Sequence, residues 1–138
     1  MPLTDDDAIE DLLRSATTVA VVGCSSTPGK DAHDIPAYLD EVGYEVIPVN
    51  PYAEAVLGRD AYDSLSAVEE AIDVVDVFRP SEEVPDIVDE ALDRDDGATI
   101  WLQLGIDHPE AVERAEFADR TVVADRCMKI EYDRLIAD

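Results

Sequence analysis

Short runs of β-branched residues alternate along the chain with longer stretches in which apolar residues recur every three or four positions. The short runs predict strands and the longer stretches predict helices. The predicted strands span residues 19–22, 45–49, 58–62, 74–78, 99–102 and 121–124. The predicted helices span 4–16, 34–42, 66–71, 81–94, 108–118 and 127–136, with Thr4, Asp34, Ser81 and Asp107 as N-caps.

Strands that alternate with helices across short links form right-handed βαβ units and a parallel sheet. The fold class that follows is α/β: a Rossmann-like three-layer domain with a mostly parallel sheet in the order 3-2-1-4-5-6. The short strand 58–62 is the third strand, at one edge. We assign this single domain to residues 1–138, a length that suffices for a real core. In this order the sheet reverses direction between 19–22 and 74–78, and ligands bind beyond the carboxyl ends of strands at such a point.

A turn-forming segment, residues 23–30, joins the first strand to the next helix. A glycine turn between a buried strand and a helix start points backbone N–H groups at a phosphate. Gly23 breaks the strand, Ser25 and Ser26 add hydroxyl donors, and Lys30 adds a cation. This segment predicts a nucleotide-phosphate loop; the alternative is that Gly23 only makes a tight turn.

The loop departs from the dinucleotide fingerprint G-x-G-x-x-G. Ser25 stands in place of the second glycine and Pro28 in place of the third. The acidic residue that would hold the ribose of NAD is replaced by Asn50, which Pro51 follows. Both changes disfavour ordinary NAD binding.

Three further strand ends meet the same edge of the predicted sheet. Phe78 and Arg79 follow one strand, and Gln103 and Gly105 follow the next. Arg79 either binds a phosphate or pairs with one of the many acids, and its place at the switch point favours the phosphate. Gln103 and Gly105 either line the site or form a turn. The chain has only two lysines, Lys30 and Lys129, so each is a candidate partner of a local anion.

The charge is strongly negative: 34 Asp plus Glu against 10 Lys plus Arg gives −24. Such a field repels nucleic acid. The acids are interleaved with apolar residues that make up 46% of the chain, which excludes a disordered acidic tail. A folded, halophilic protein explains the charge most simply, because molar salt screens self-repulsion over about 3 Å. A protein that mimics DNA would not need a glycine loop.

Cysteine usage and hydropathy predict a cytoplasmic protein. Cys24 and Cys127 do not form a disulfide framework and suit a reducing interior. No segment has the apolar length of a membrane span, and the N-terminus is not a basic signal region. The histidines His33 and His108 have no spacing that indicates a catalytic or metal site. The loop would lower the pKa of the Cys24 thiol, although we expect that residue mainly to pack beneath the loop.

Five motifs in this order resemble the small stand-alone CoA-binding proteins, whose domain is similar to the nucleotide-binding part of the succinyl-CoA synthetase α subunit. They are Val-Val-Gly-Cys-Ser-Ser (21–26), Val-Ile-Pro-Val-Asn-Pro (46–51), Val-Val-Asp-Val-Phe-Arg (74–79), Trp-Leu-Gln-Leu-Gly (101–105) and Asp-Arg-Cys-Met-Lys-Ile-Glu (125–131). The resemblance implies coenzyme A or an acyl-CoA, held through its ADP portion at the switch point by a non-catalytic module. The alternative is an enzyme or subunit that acts on an acyl-CoA or an NAD(P)-type nucleotide. A homo-oligomer or a protein partner stays open.

The resemblance also assigns roles to residues. Gly23, Ser25 and Ser26 would take the phosphates, with Cys24 in the same loop and Lys30 nearby. Asn50 and Pro51 would line the adenosine end. Phe78 and Arg79 would form the opposite wall, and Gln103 and Gly105 complete the candidate set. Ala32 stands where a serine is often found. The ATP-grasp domain and phosphohistidine segment of the ligases are not found here, so acyl-CoA synthesis by this chain alone is not expected.

Overall fold

The computed structural model describes residues 1–137, so only Asp138 of the predicted domain lies outside the described residues. The helices are α1 (Asp6–Ser15), α2 (Asp31–Glu41), α3 (Val84–Leu92), α4 (Pro109–Phe117) and α5 (Met128–Leu135). The strands are β1 (Thr18–Val22), β2 (Glu45–Val49), β3 (Ala55–Val56), β4 (Arg59–Asp60), β5 (Val74–Val77), β6 (Thr99–Leu102) and β7 (Val122–Val123).

Five parallel strands form the main sheet in the order β2-β1-β5-β6-β7. The α/β, Rossmann-like class is therefore confirmed, and the switch point lies between β1 and β5 as predicted. β1 is buried along its whole length, which accounts for its uncharged, β-branched sequence.

The predicted third strand, 58–62, does not join the main sheet as a regular strand. Its first residues form a hairpin, in which β3 and β4 pair antiparallel. Leu57 (φ 55°) and Gly58 (φ 73°) make the turn with positive φ at both central positions, as a tight hairpin requires. Only Tyr62 reaches the main sheet, through one parallel bridge to Val49. The predicted order thus holds for the other five strands.

Each face of the sheet carries its own apolar core. α3 and α4 cover one face, where Ala20, Val75 and Ile100 point. α1, α2 and α5 cover the other face, where Val21, Val74 and Trp101 point. Trp101 is fully buried, as its strand position predicts, and its indole N–H donates to the carbonyl of Arg126 at 2.8 Å. These two cores leave the carboxyl edge of the sheet as the place where loops meet.

Two predicted N-caps are replaced by neighbouring side chains, and a third, Ser81, does not cap a helix. Asp5, not Thr4, caps α1 and accepts from the N–H of Ala8. His108, not Asp107, caps α4, since its Nδ1 accepts from Ala111. The Ser81 hydroxyl accepts from the N–H of Asp107 and so joins two loops, while α3 begins only at Val84.

The predicted helix 66–71 is a single 3₁₀ turn, Leu65–Ala67. Its surroundings give the reason: the guanidinium of Arg94 donates to the carbonyls of Leu65, Val68 and Glu70 at 2.8–3.0 Å. Because this side chain satisfies the carbonyls, the segment needs no helical hydrogen bonds of its own.

One carboxyl group lies in the middle of the sheet. Asp76 on β5 sits between Val21 and Trp101 in the strand ladder and is fully buried. Within residues 1–137, neither of its carboxyl oxygens has a hydrogen-bond partner. Burial raises the pKa of Asp76 well above its ordinary value of 3.8. Burial therefore disfavours the charged form of this side chain.

No helix among residues 1–137 combines the length and the apolar character needed to cross a membrane.

Candidate functional site

The site is organised by the turn at Gly23, directly after β1. Its N–H donates to the carbonyl of Val49 at 3.0 Å, which ties the turn to the end of β2. Gly23 has φ +89°, and a Cβ there would lie 2.8 Å from Cδ of Arg79 and 3.0 Å from the carbonyl oxygen of Phe78. Glycine is favoured here because positive φ strains any residue with a Cβ, and that Cβ would press against the Phe78 carbonyl and the Arg79 side chain.

The loop after Gly23 is held by polar contacts within itself and to β2. The Ser25 N–H donates to the carbonyl of Ala32, and the Ser25 hydroxyl accepts from the N–H of Thr27. The Asn50 side chain bridges the two segments: its amide donates to the carbonyl of Cys24 at 2.9 Å, and its oxygen accepts from the N–H of Tyr52 at 2.8 Å. Asn50 thus positions the loop, where a Rossmann dinucleotide site would have a ribose-binding acid.

α2 begins at Asp31, three residues before the predicted cap at Asp34. The Asp34 carboxylate instead accepts from the N–H of Gly29 at 3.1 Å, within the loop. The positive end of α2 therefore opens directly beside Lys30, which occupies the N-cap position.

A cavity of about 510 Å³ opens at this switch point. Seven predicted site residues line it: Gly23, Ser25, Lys30, Asn50, Pro51, Phe78 and Arg79. Eleven further lining residues were not predicted as site residues: Val22, Ala32, Val49, Tyr52, Asp63, Ser64, Leu65, Glu83, Asp86, Ile87 and Glu90. The volume falls within the usual range of small-molecule sites, about 300–1,000 Å³.

Arg79 is the cation placed closest to the glycine turn. Its side chain crosses Gly23, and its guanidinium forms a two-point ion pair with Glu83: Nε to Oε1 at 3.2 Å and a terminal nitrogen to Oε2 at 2.7 Å. The hydrogen bond to Glu83 raises the pKa of Arg79, and the same contact lowers the pKa of Glu83. Both sequence hypotheses for Arg79 thus describe one part of its environment, since it lines the cavity and also pairs with an acid.

Four predicted site residues lie outside the cavity lining. Cys24 is fully buried in the core beneath α2 and α5, and Ser26 is exposed on the outer side of the loop. Gln103 is buried and accepts from the N–H of Met128 at 3.0 Å, which fixes the start of α5. The Gly105 N–H donates to Asp125. Gln103 and Gly105 therefore form a turn, one of the two alternatives weighed for them.

The Cys24 thiol is in a different electrostatic state from the one its loop position predicts. Burial, and secondly the neighbouring Asp76, raise the pKa of Cys24 to about 12. The expectation of a lowered pKa was wrong because the side chain points into the core, away from the N–H groups of the loop. Cys24 and Cys127 are both free thiols.

One part of the cavity lining is acidic. Glu83, Asp86 and Glu90 follow one another at helical spacing along one side of the segment 81–92, and Asp63 joins them from the loop before it. The spacing of three and four residues was the signal in the sequence for this shared face. It was masked because acids are common throughout the chain.

The two lysines differ in their surroundings. Lys30 lines the cavity, whereas Lys129 lies over the ring of Tyr38, with Nζ 4.9 Å from the ring centre. A cation–π contact therefore accounts for Lys129 without an anionic ligand.

Comparison with known proteins assigns the family. Residues 17–133 match the profile of the CoA binding domain. The chain belongs to this CoA-binding family. It is 36% identical over 124 residues to the protein YneT of Bacillus subtilis, covering 90% of this chain and 91% of that one. The Thermus thermophilus protein ID.343 has a solved structure that superposes with a TM-score of 0.91 at 40% identity, covering 96% of this chain and all of that chain.

The chain is also similar to part of a much larger ligase. It is 32% identical over 73 residues to the ADP-forming acetate–CoA ligase of Methanocaldococcus jannaschii. This match covers 53% of the present chain but only 10% of the ligase. The relationship supports the predicted resemblance to CoA-ligase domains.

Gly23→Ala is expected to destabilise the protein more than an alanine at another glycine with the same backbone angle. Strain at positive φ accounts for about 1–3 kcal/mol. Crowding against Arg79 and Phe78 adds a further loss of about 1–3 kcal/mol. The matched control is Gly105→Ala, because Gly105 has φ +85° and open space around its Cβ position. Denaturant unfolding in multimolar KCl measures the stability of both variants. Equal losses of stability in Gly23→Ala and Gly105→Ala would contradict the close approach of Arg79 and Phe78 to Gly23.

Proposed function

We propose that this chain binds coenzyme A or an acyl-CoA through the ADP portion, in the cavity between the glycine turn, the end of β2 and α3. The observation that carries the proposal is the convergence of three anion-binding features on one cavity. These are the turn at Gly23, the positive end of α2, and the cations Lys30 and Arg79. The membership of the chain in the CoA-binding family supports this choice of ligand.

The residues that line the cavity suit different parts of the ligand. The cations and the helix end suit the diphosphate. Pro51, Phe78 and Ile87 supply apolar surface for a planar base, and Tyr52 is an exposed aromatic ring beside them. Asn50, Asp63 and Ser64 supply polar groups for the hydroxyls of the sugar. An acyl-pantetheine arm would then extend along the carboxyl edge of the sheet.

We assign the chain a binding role without chemistry of its own. A thiol nucleophile would have to be accessible and easily ionised, and Cys24 is neither, being fully buried with a raised pKa. Asp76 is equally buried. The match to the acetate–CoA ligase favours a second candidate, a CoA-binding subunit of a larger acyl-CoA enzyme. An acyl-CoA incubated with this chain separates the two: a binder retains it unchanged, and an enzyme converts it.

The proposed ligand preference is tested by titration calorimetry with CoA and with NAD in multimolar KCl. CoA is expected to bind, and NAD much more weakly, because Asn50 bonds to Cys24 and Tyr52 and offers no carboxylate to the ribose of NAD. Tighter binding of NAD than of CoA would contradict the proposal. A high-salt cytoplasm remains our explanation for the charge of −24, and these titrations are accordingly made at high salt.

A further inference from the structure

The ion pair in the cavity is placed where a ligand phosphate would bind. Arg79 presents its Nε and one terminal nitrogen as a fork, and the two carboxylate oxygens of Glu83 occupy both positions at 3.2 and 2.7 Å. A phosphate binds an arginine through this same two-point geometry. Arg79 and Glu83 also both line the cavity.

We propose that Glu83 is a resident competitor for the phosphate: it holds the Arg79 fork in the free protein and must release it when an anionic ligand binds. Glu83 then sets the affinity and the selectivity of the site. This inference rests on the proposed function, since the anion in question is the diphosphate of CoA. It adds that the free site is internally neutralised at Arg79, so only a ligand that competes well for the fork displaces the carboxylate.

The arrangement of the chain favours exchange over a permanent ion pair. Glu83 is four residues after Arg79, in the 3₁₀ turn before α3, and the side chains of Arg79 and Glu83 are 43% and 44% exposed. A pair this exposed contributes little to stability. The Arg79 stem, by contrast, packs against Gly23, so that its Cδ lies 2.8 Å from the position a Cβ would take there. Glu83 can therefore turn away while the cation stays in place.

The structure supplies two matched controls for charge. Glu82 is exposed, lies in the same 3₁₀ turn and is not one of the residues that line the cavity. Asp86 belongs to the same acidic part of the lining, and no contact with Arg79 is found for it among the described residues. Glu82→Gln reports the loss of one acid near the helix start. Asp86→Asn reports the loss of one acid in the cavity without the ion pair.

The test measures CoA affinity by calorimetry for the wild type and for Glu83→Gln, Glu82→Gln and Asp86→Asn, with inorganic pyrophosphate as a second probe. Glu83→Gln is expected to tighten CoA binding about tenfold, through the freed fork and the removed repulsion. The two controls are expected to stay within about threefold of the wild type, the range of one screened charge. A thermal melt of each variant checks that it is folded.

Each outcome decides between the two proposals. A change of less than twofold in Glu83→Gln, or an equal gain in Asp86→Asn, overturns the competitor role while leaving CoA binding intact. If no protein binds CoA but Glu83→Gln binds pyrophosphate more tightly than the wild type does, the competitor role stands and the proposed function fails. If no variant binds either probe, both are overturned.

Discussion

Arg79→Ala is expected to weaken CoA binding by about 1.5–3 kcal/mol, the contribution of a hydrogen bond to a charged group. The physical reason is twofold. The substitution removes the cation beside the glycine turn, and it leaves the carboxylate of Glu83 in the cavity without its partner. A developing contact between a phosphate and that carboxylate is repulsive. Calorimetry with CoA in multimolar KCl measures the loss.

Two controls separate this loss from general effects. Arg59→Ala removes the same charge, but Arg59 pairs with Asp40 outside the cavity lining, so its CoA affinity is expected to stay at the wild-type value. Cys24→Ser changes a buried residue beneath the loop and is expected to alter affinity by no more than a few-fold. Loss of binding in Cys24→Ser together with normal binding in Arg79→Ala would contradict the assigned pocket.

Asp76→Asn is expected to remove a large pH dependence of stability. Well below its ordinary pKa of 3.8, the Asp76 carboxyl is protonated in both folded and unfolded chains. At higher pH the unfolded chain releases this proton, while the folded protein keeps it until its raised pKa is reached. The unfolded state then binds fewer protons, so the stability falls by about 1.4 kcal/mol for each pH unit in that interval. An amide at the same place has no proton to release.

Urea unfolding of the wild type and Asp76→Asn between pH 5 and pH 8 tests whether Asp76 makes the stability fall as the pH rises. The free energy of unfolding of Asp76→Asn should rise relative to that of the wild type as the pH rises. Asp73→Asn is the opposite control: although burial opposes it, three hydrogen bonds from Thr17 and Thr18 lower the pKa of Asp73. Its contribution is therefore constant between pH 5 and pH 8, and it is lost only at lower pH, as the pH falls through the folded pKa. Parallel curves for wild type and Asp76→Asn would show that Asp76 is charged in the fold.

Local sequence patterns predict the sheet well because its strands are buried on both faces. The bounds of β2 and β6 agree with the prediction to the residue, and the uncharged run before Gly23 gives β1. The glycine turn and the carboxyl edge follow from the same pattern, since a parallel sheet brings its strand ends together. Seven site residues could therefore be placed around one cavity from the sequence.

Features that depend on distant side chains could not be predicted in this way. Arg94 reaches back 24 to 29 residues to satisfy three carbonyls, and so replaces the predicted helix 66–71. The positive φ of Leu57 is unusual for a leucine. Leu57 forms the turn of the β3–β4 hairpin, which takes the place of the predicted third strand. Gln103 follows a strand at the correct edge of the sheet. Its side chain, however, bonds to the N–H of Met128, 25 residues away, and therefore points toward α5. Strand-end position predicts proximity to a site, while side-chain direction depends on contacts of this kind.

The most direct test of CoA binding at this cavity is a crystal structure of the protein grown with CoA in multimolar KCl. The proposal predicts the diphosphate beside the turn at Gly23 and the start of α2, with a phosphate oxygen bound to Arg79 in place of the Glu83 carboxylate. In that complex Glu83 has turned away and the Arg79 guanidinium has kept its place beside Gly23, and the adenosine lies between Pro51 and α3. CoA bound elsewhere, for example beside Gln103 and Gly105, with the Arg79–Glu83 pair unchanged, would contradict it.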